Sequence, residues 1–490
     1  MADFASERTV SAGAVTIPLI VRGKVIDADL QNFGARAGGI SFQAPDVSKH
    51  LSKLPANAQS LSDLYALGLD EIIDFMARVG AALDLDTNAH LRAAFELSVV
   101  TSGMSRSILE SLYRALPQSF GKATIEKFVE TQIGRAYLEG WVDHDVGNGR
   151  IVSVHAYGAR TVHVIAGNSP GVAFLTVLRS AITRSDAIIK LPSNDPMTAI
   201  AILRTMIDIG PDHPVTKHLS AAYWKGGDER VEAALYQPRN IEKIVAWGGF
   251  ASITHITKYL QPGIDLITLD PKHSGSIIGA EALASDESIA EVAAKAALDI
   301  GAYNQELCAN ARVIYVVCDE HDPAQIARLN QLGAAILAEI GNLPPTISTP
   351  AKVMKPQLLD ELAGIALQDD FFKLNRGDEN AGAVIVSQFD EVVEFSDILA
   401  NRTANLVPVA SVAEALKRIN AASQTVGVYP DALKAQIRDA LAIQGAQHIV
   451  SLGKVTQLGS FGPQDGLQIE RRMLKWVRDM SIAAPTQDKK

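Results

Sequence analysis

Val162-His163-Val164-Ile165-Ala166-Gly167-Asn168-Ser169-Pro170-Gly171 is the stretch on which the fold turns. Val162 to Ile165 is an apolar run of the length of a buried strand, and Val172 to Ile182 continues as a helix. Between them the small residues let the chain turn sharply and let something approach its backbone. Asn168 offers an amide donor at the carboxyl end of a strand, where open parallel sheets place their sites. An asparagine there also serves as a helix N-cap. This stretch alone leaves both readings open.

The same strand-turn-helix pattern recurs outward from it. Ala187 to Lys190 reads as the next strand and Met197 to Ile209 as the next helix. Leu219 to Tyr223, a helix from Arg230 and a strand over Ile244 to Trp247 follow. Repeated units of this kind predict a parallel sheet covered by helices on both faces. In Lys190-Leu191-Pro192-Ser193-Asn194-Asp195-Pro196 the lysine leaves a strand end toward the same edge, to hold a ribose or phosphate or to be solvated. Asp195 and Pro196 read as a helix start, cap then first turn. Trp247-Gly248-Gly249-Phe250 is a third strand end, with two glycines entering a helix whose bare N–H groups attract anions. It is not the six-residue glycine fingerprint of the ordinary dinucleotide fold. All three junctions are expected along one edge of one sheet.

Ahead of these units, residues 1–60 hold short β-like pieces such as Thr16 to Val21. Leu61 to about Tyr137 is helical, with Leu64, Leu67, Ile72, Ile73, Met76 and Val79 at helical spacing. A second α/β region follows the first. It has a helix from about Glu287 to Ile300, a strand over Val313 to Val317, a helix over Pro323 to Ile340, strands at Ala383 to Ser387 and Val407 to Val409, and a helix over Val412 to Ala422. Asn342-Leu343-Pro344-Pro345 is a surface break within it. The tail from Leu467 to Val477 reads as a short amphipathic helix carrying Ile469, Met473 and Trp476.

In this second region lies Asn304-Gln305-Glu306-Leu307-Cys308-Ala309-Asn310, a polar loop between a helix and a β-branched strand. A thiol near oriented amides or positive charge has a depressed pKa and can be a nucleophile. A cysteine without partners is otherwise a small buried apolar residue. Cys318 continues the alternation of Ile314 and Val316 and reads as packing.

Composition narrows the classes. A chain of 490 residues, 47% hydrophobic and 20% charged, reads as a soluble enzyme of about two to three domains. A net charge of -10 argues against nucleic-acid binding. Two cysteines, without a CxxC spacing or a nearby His pair, argue against a zinc site and suit a reducing compartment. Met1 to Arg8 lacks a basic region followed by an apolar one, so no secretory signal is expected. The apolar stretch Val162 to Ile182 is interrupted by His163, Asn168, Pro170 and Arg179, so no membrane span is expected either. These features predict a cytoplasmic protein.

Asn168, then Lys190-Leu191-Pro192-Ser193, then Trp247-Gly248-Gly249, then Cys308 before a strand, resembles the aldehyde dehydrogenase superfamily. Within it the chain is most similar to the LuxC-like acyl-CoA and acyl-thioester reductases. Val162 to Asn168 followed by Pro170-Gly171, Lys190 to Pro196, Val245 to Gly249 and Gln424-Thr425-Val426-Gly427-Val428-Tyr429-Pro430 carry that resemblance, and Leu307-Cys308-Ala309 resembles the cysteine loop of CoA-acylating aldehyde dehydrogenases. The match runs from about residue 150 to the end.

The resemblance implies an α/β, aldehyde dehydrogenase-like fold: a parallel-sheet cofactor domain plus a second α/β catalytic domain. Residues 1–275 would hold the helical and strand region with the nicotinamide-cofactor domain, 276–445 the catalytic domain with the cysteine, and 446–490 a segment that packs back or oligomerises. It implies that Cys308 forms an S-acyl intermediate from an acyl-CoA or acyl-protein thioester, which hydride reduces to an aldehyde. Asn168 and the Cys308 N–H would hold the oxyanion. Lys190 and Ser193 would lie near the adenosine ribose, and Trp247, Gly248 and Gly249 would complete the cofactor site, Gly248 and Gly249 near the phosphates. NADPH is the expected cofactor, with NADH as alternative. Ser193 is neutral where NAD-favouring relatives carry a glutamate that would repel a 2′-phosphate. A homo-oligomer and an acyl-activating or acyl-transferring partner enzyme are expected, and no metal. Two departures stand out. Leu269-Asp270-Pro271-Lys272-His273-Ser274-Gly275 lacks the glutamate that activates water in aldehyde-oxidising members, and the Glu-x-Phe-Gly-Pro segment is absent around Leu406-Val407-Pro408. Two rivals remain: an aldehyde-oxidising dehydrogenase using His273 or Asp270 as base, and a non-catalytic scaffold.

Overall fold

A computed structural model of the chain describes residues 15–34, 40–378, 380–456 and 462–482. Met1 to Arg8 lies outside them. Runs of apolar residues bounded by turns form two sheets. The first contains Leu19–Val21 (β1), Lys24–Ile26 (β2), Arg160–Val164 (β3), Asp186–Lys190 (β4), Leu219–Ala222 (β5), Lys243–Trp247 (β6) and Asp265–Leu269 (β7), in the spatial order β7-β6-β3-β4-β5-β1-β2. Strands β3 to β7 are parallel to one another, and the antiparallel β1-β2 hairpin extends the β5 edge. Helices Pro170–Ile182 (α1), Thr198–Ile209 (α2) and Phe250–Thr257 (α3) follow β3, β4 and β6. From β3 the chain winds outward through β4 and β5, then returns to lay β6 and β7 on the other side of β3. The winding therefore reverses between β3 and β6, and such a reversal opens a crevice at the strand ends.

The helical stretch packs onto this sheet. Its Leu69–Ala82 helix buries Ile72, Ile73, Met76 and Val79 completely, in one apolar cluster with Val177 of α1 and Ile200 of α2. The second sheet contains His273–Ile278 (β8), Ala311–Val317 (β9), Phe372–Arg376 (β10), Ala383–Ser387 (β11), Thr403–Val409 (β12), Ser423–Tyr429 (β13) and His448–Ser451 (β14), in the order β10-β11-β12-β9-β8-β13-β14. All its pairings are parallel except β10 with β11. Helix Asp286–Gly301 (α4), held by a Ser285 capping box, leads toward the cysteine loop.

Three expectations change. The tail is helical only over Ile469–Met473, where both end residues are buried. Lys475–Ile482 is instead a strand, running from Lys475 opposite Tyr157 to Ile482 opposite Arg150. The open edge of Arg150–Tyr157 offers a row of backbone partners that outweighs the helical spacing of three apolar residues. The helix from Val412 ends at Lys417, because Asn420 and Ser423 exchange hydrogen bonds in a turn that starts β13. Finally, α2 starts at Thr198, so Pro196 is outside it; Asp195 still accepts the Thr198 N–H at 3.2 Å. A division after residue 275 falls inside β8, and one after residue 445 falls ahead of β14, a strand of the second sheet.

At the amino ends of β4 and β5, Asp186 accepts from Arg22 at 2.9 Å and pairs with His218 Nδ1 at 2.8 Å, while His218 Nε2 lies 2.8 Å from Asp63. Burial disfavours a charged His218, but the carboxylates at its two nitrogens prevail and lift its pKa above the ordinary value. A raised folded-state value means stability that is fully present below the unfolded value of about 6.5 and is lost as pH rises through the folded one. His218→Gln should therefore lower the melting temperature most under mildly acidic conditions, with the deficit shrinking as pH rises past that point. Thermal melts across a pH series measure this; a deficit independent of pH would show that His218 is neutral in the folded protein.

Candidate active site

The register of the first sheet sets its three loops side by side. Val164 pairs with Lys190 on one side and Ala246 on the other, and Lys190 pairs with Ala222. A cleft of about 1180 Å³ opens at these strand ends, lined by Asn168, Lys190, Ser193, Trp247, Gly248 and Gly249 among others. Lys190 is half-buried in its wall. Gly249 precedes α3 with no side-chain cap, and a Cβ there would meet nothing within 4 Å, so the first N–H groups of α3 are accessible to an anion. Lys225 and the aromatic Phe33 and Tyr223 line the same cleft. Cation, helix N-terminus and aromatic surface together fit a dinucleotide.

Asn168 does not cap α1. That task falls to Ser169, whose hydroxyl accepts the Gly171 N–H at 3.2 Å. Asn168 Nδ2 donates instead to the Glu306 carbonyl at 3.1 Å, joining the cleft to the cysteine loop. An amide nitrogen carries two hydrogens, so one is left for another acceptor. Gly167 allows the tight turn before it: a Cβ would collide with the Asn194 amide, which donates to the Gly167 carbonyl at 3.0 Å.

Cys308 stands beyond Asn168, outside the cleft lining, on a loop held by buried polar side chains. Tyr303, Asn304 and Gln305 are consecutive left-handed residues, with φ of 52°, 57° and 63°. Gln305 donates to the Ala311 and Thr403 carbonyls, both at 2.9 Å, and accepts the Thr403 N–H at 2.8 Å. Asn310 accepts the Leu307 N–H and donates to the Asp299 and Ala302 carbonyls. From β8, the Ser274 hydroxyl donates to the Cys308 carbonyl at 2.8 Å and accepts the Thr425 N–H.

Cys308 is exposed, yet protein crowds its sulfur, and this burial pushes the thiol above its ordinary pKa. Gln424 Nε2 donates to the sulfur at 3.2 Å and pulls the value down; the Asp465 carboxylate pushes it up, and Arg312 and the Cys308 N–H pull it down. The expected depression is thus overridden by desolvation. Cys318 is buried beside Val316, with its thiol pushed up to about 12. His273 is exposed, its Nε2 3.6 Å from Asp397, and Asp270 is exposed too. Among the described residues no group of His, Cys, Asp and Glu could hold a metal ion, and no helix is long and apolar enough to cross a membrane.

Ser274, Gln424 and Asp465 were not anticipated as site residues. Ser274 and Gln424 had a signal: each is a polar residue near the start of an apolar strand. Asp465 had none.

The acyl-CoA reductase (LuxC) family model matches residues 64–476. The chain belongs to that family. It is 25% identical to the long-chain acyl-protein thioester reductase of Vibrio harveyi, over 94% of this chain and 92% of that protein. It is 28% identical to the protein of the same name from Photorhabdus laumondii, over 73% and 70% respectively. Among solved structures, the NADP-dependent glyceraldehyde-3-phosphate dehydrogenase of Bacillus halodurans, complexed with NADP, aligns with a TM-score of 0.72 at 13% identity, over 96% of this chain and all of that one. An indole-3-acetaldehyde dehydrogenase complexed with NAD+ aligns at 0.71 and 13% identity, over 96% and 97%. The LuxC-family chain thus has the aldehyde dehydrogenase fold.

Replacing Gln305 by leucine would leave the Thr403 N–H and two carbonyls unpaired in the interior. At about 1–3 kcal/mol for each unsatisfied group, Gln305→Leu should lower the unfolding free energy by roughly 3 kcal/mol or more, measurable by denaturant titration.

Proposed function

We propose that this protein reduces an acyl thioester, carried on CoA or on a protein, to an aldehyde by way of an S-acyl intermediate on Cys308. The observation that carries the reading is the Asn168–Glu306 hydrogen bond, which holds an oxyanion-type donor and the cysteine loop together beside the cleft. The Cys308 sulfur attacks the thioester carbonyl, and the carrier departs as a thiol with one proton. The free hydrogen of Asn168 Nδ2 and the Cys308 N–H receive the oxyanion; one such donor contributes about 2.7–4 kcal/mol to a transition state. The cleft lined by Lys190, Ser193, Trp247, Gly248 and Gly249 would hold a reduced nicotinamide dinucleotide, which would supply the hydride, two electrons in all. The C–S bond then breaks with its electron pair returning to sulfur, and the aldehyde leaves. Overall, thioester, reduced cofactor and a proton give aldehyde, carrier thiol and oxidised cofactor.

In this reading residues 1–275 supply the cofactor domain with Lys190, Ser193, Trp247, Gly248 and Gly249, residues 276–445 supply the cysteine, and 446–490 pack back. The strand Lys475–Ile482 and its neighbours expose Trp141, Val477 and Met480, which suits a homo-oligomer. An acyl-activating or acyl-transferring partner enzyme would provide the thioester. Two free thiols suit a reducing cytoplasm.

Mixing the protein with acyl-CoA in the absence of reductant should add one acyl group, read by intact mass, and Cys308→Ala should abolish both the adduct and aldehyde formation. An equal adduct on the variant would remove Cys308 from the mechanism. NADPH should be used at least as efficiently as NADH, because neutral Ser193 does not repel a 2′-phosphate and Lys190 attracts it. Ser193→Glu should lower kcat/KM for NADPH more than for NADH; a wild-type preference for NADH by a wide margin would count against this assignment.

A further inference from the structure

Behind the Cys308 sulfur lies a side chain from the opposite sheet strand with no role assigned so far. Gln424, at the start of β13, is 2% exposed; its Nε2 is 3.2 Å from Cys308 Sγ and 2.7 Å from Asp465 Oδ1. Its carbonyl oxygen has no hydrogen-bond partner among the described residues. An ionised carboxylate only accepts hydrogen bonds, so turning the amide over would set oxygen against oxygen at Asp465. Asp465 therefore dictates which end of the amide meets the sulfur, and that end is a donor. Asp465 is itself buried; its backbone N–H donates to His448 Nε2 at 3.2 Å, and the same Nε2 lies 3.7 Å from the Oδ1 that accepts from Gln424.

We propose that Gln424 is a catalytic residue whose N–H stabilises the Cys308 sulfur as a thiolate, both when it attacks the thioester and when it leaves the reduced intermediate, and that Asp465 is the positioning residue that aims it. The inference rests on Cys308 being the nucleophile. In the second step the C–S bond breaks, its electron pair goes to sulfur, and a hydrogen-bond donor at that sulfur makes it a better leaving group. An amide does this without a basic lone pair, so it cannot take a proton from water and hydrolyse the acyl-enzyme. The other charged groups around the sulfur divide. Arg312 of β9 favours the thiolate, Asp465 opposes it, Glu306 lies beside Arg312, and His448 stands behind Asp465.

The test is the pH profile of Cys308 alkylation by iodoacetamide, followed by mass spectrometry of the Cys308 peptide in the full-length protein. In Gln424→Met, which keeps the shape and loses the donor, the midpoint should rise by about one unit, a tenfold loss of thiolate at a fixed pH, while the limiting rate at high pH does not fall. Should that variant fail to fold, Gln424→Asn keeps an amide for Asp465 but withdraws it from the sulfur by one methylene, and should raise the midpoint too. An unmoved midpoint in a folded variant overturns the role of Gln424. In an Asp465→Ala background the rise caused by Gln424→Met should shrink; an equal rise would show that Asp465 does not aim the amide. Wild-type protein that forms no acyl adduct on Cys308 refutes the thioester-reductase reading itself, whereas an adduct with an unmoved midpoint refutes only the role of Gln424.

Discussion

A parallel strand delivers its loops to one edge of the sheet only, and the pairing of Val164 with both Lys190 and Ala246 determines which three loops meet there. A slip of one residue in either pairing would turn alternate side chains to the other face and break the buried runs of β3, β4 and β6. The register is therefore held by the core rather than by the site. The reversal of winding between β3 and β6 then opens the crevice, and α3 leaves from its rim with its positive end toward it. Asn168, Lys190 and Gly249 owe their common location to this arrangement.

The cysteine loop answers a different constraint. Three successive left-handed residues carry strain of roughly 1–2 kcal/mol apiece, less for Asn304 than for its neighbours. Against this stand the hydrogen bonds of Gln305 and Asn310, each contributing about 0.5–1.5 kcal/mol net. The two sums are similar in size. What decides the matter is that breaking the bonds would strand backbone groups of β9, β12 and α4 in the interior, so the strained path is the one that keeps those backbone groups paired. The loop presents Cys308 at the carboxyl end of α4 and the start of β9, and the Asn168 amide reaches it from the other sheet.

Much of the fold was legible because its signals are local. Buried parallel strands read as short, mostly apolar runs, and small residues marked their exits at Gly167 and Gly248-Gly249. What failed also failed for physical reasons. Ile469, Met473 and Trp476 keep helical spacing, but the chain after Met473 pairs with Arg150–Tyr157, more than 300 positions earlier. No local pattern carries that partner. Asn168 was ambiguous between cap and ligand until Ser169 was seen to do the capping. Gln424 belonged to a motif noticed for its resemblance, yet only the pairing of β8 with β13 sets it behind the sulfur. Asp465, on an irregular segment after β14, could be connected with Cys308 only in three dimensions.

The raised pKa of the Cys308 thiol bears on how such a site separates hydride from water. A thiolate with a lower pKa is more abundant but less nucleophilic, and burial of the sulfur sets the balance toward fewer, stronger thiolates. A positioned general base typically contributes about 10²–10⁴-fold. The segment Leu269 to Gly275 brings Ser274 to the cysteine backbone while its only imidazole, His273, faces Asp397 at the surface. Around the sulfur, Gln424 and the Cys308 N–H donate and Arg312 is cationic, which stabilises negative charge; of the carboxylates, Asp465 accepts from Gln424 and Glu306 lies beside Arg312. In the proposed mechanism an acyl group on Cys308 would meet donors for its oxygen and for its leaving sulfur.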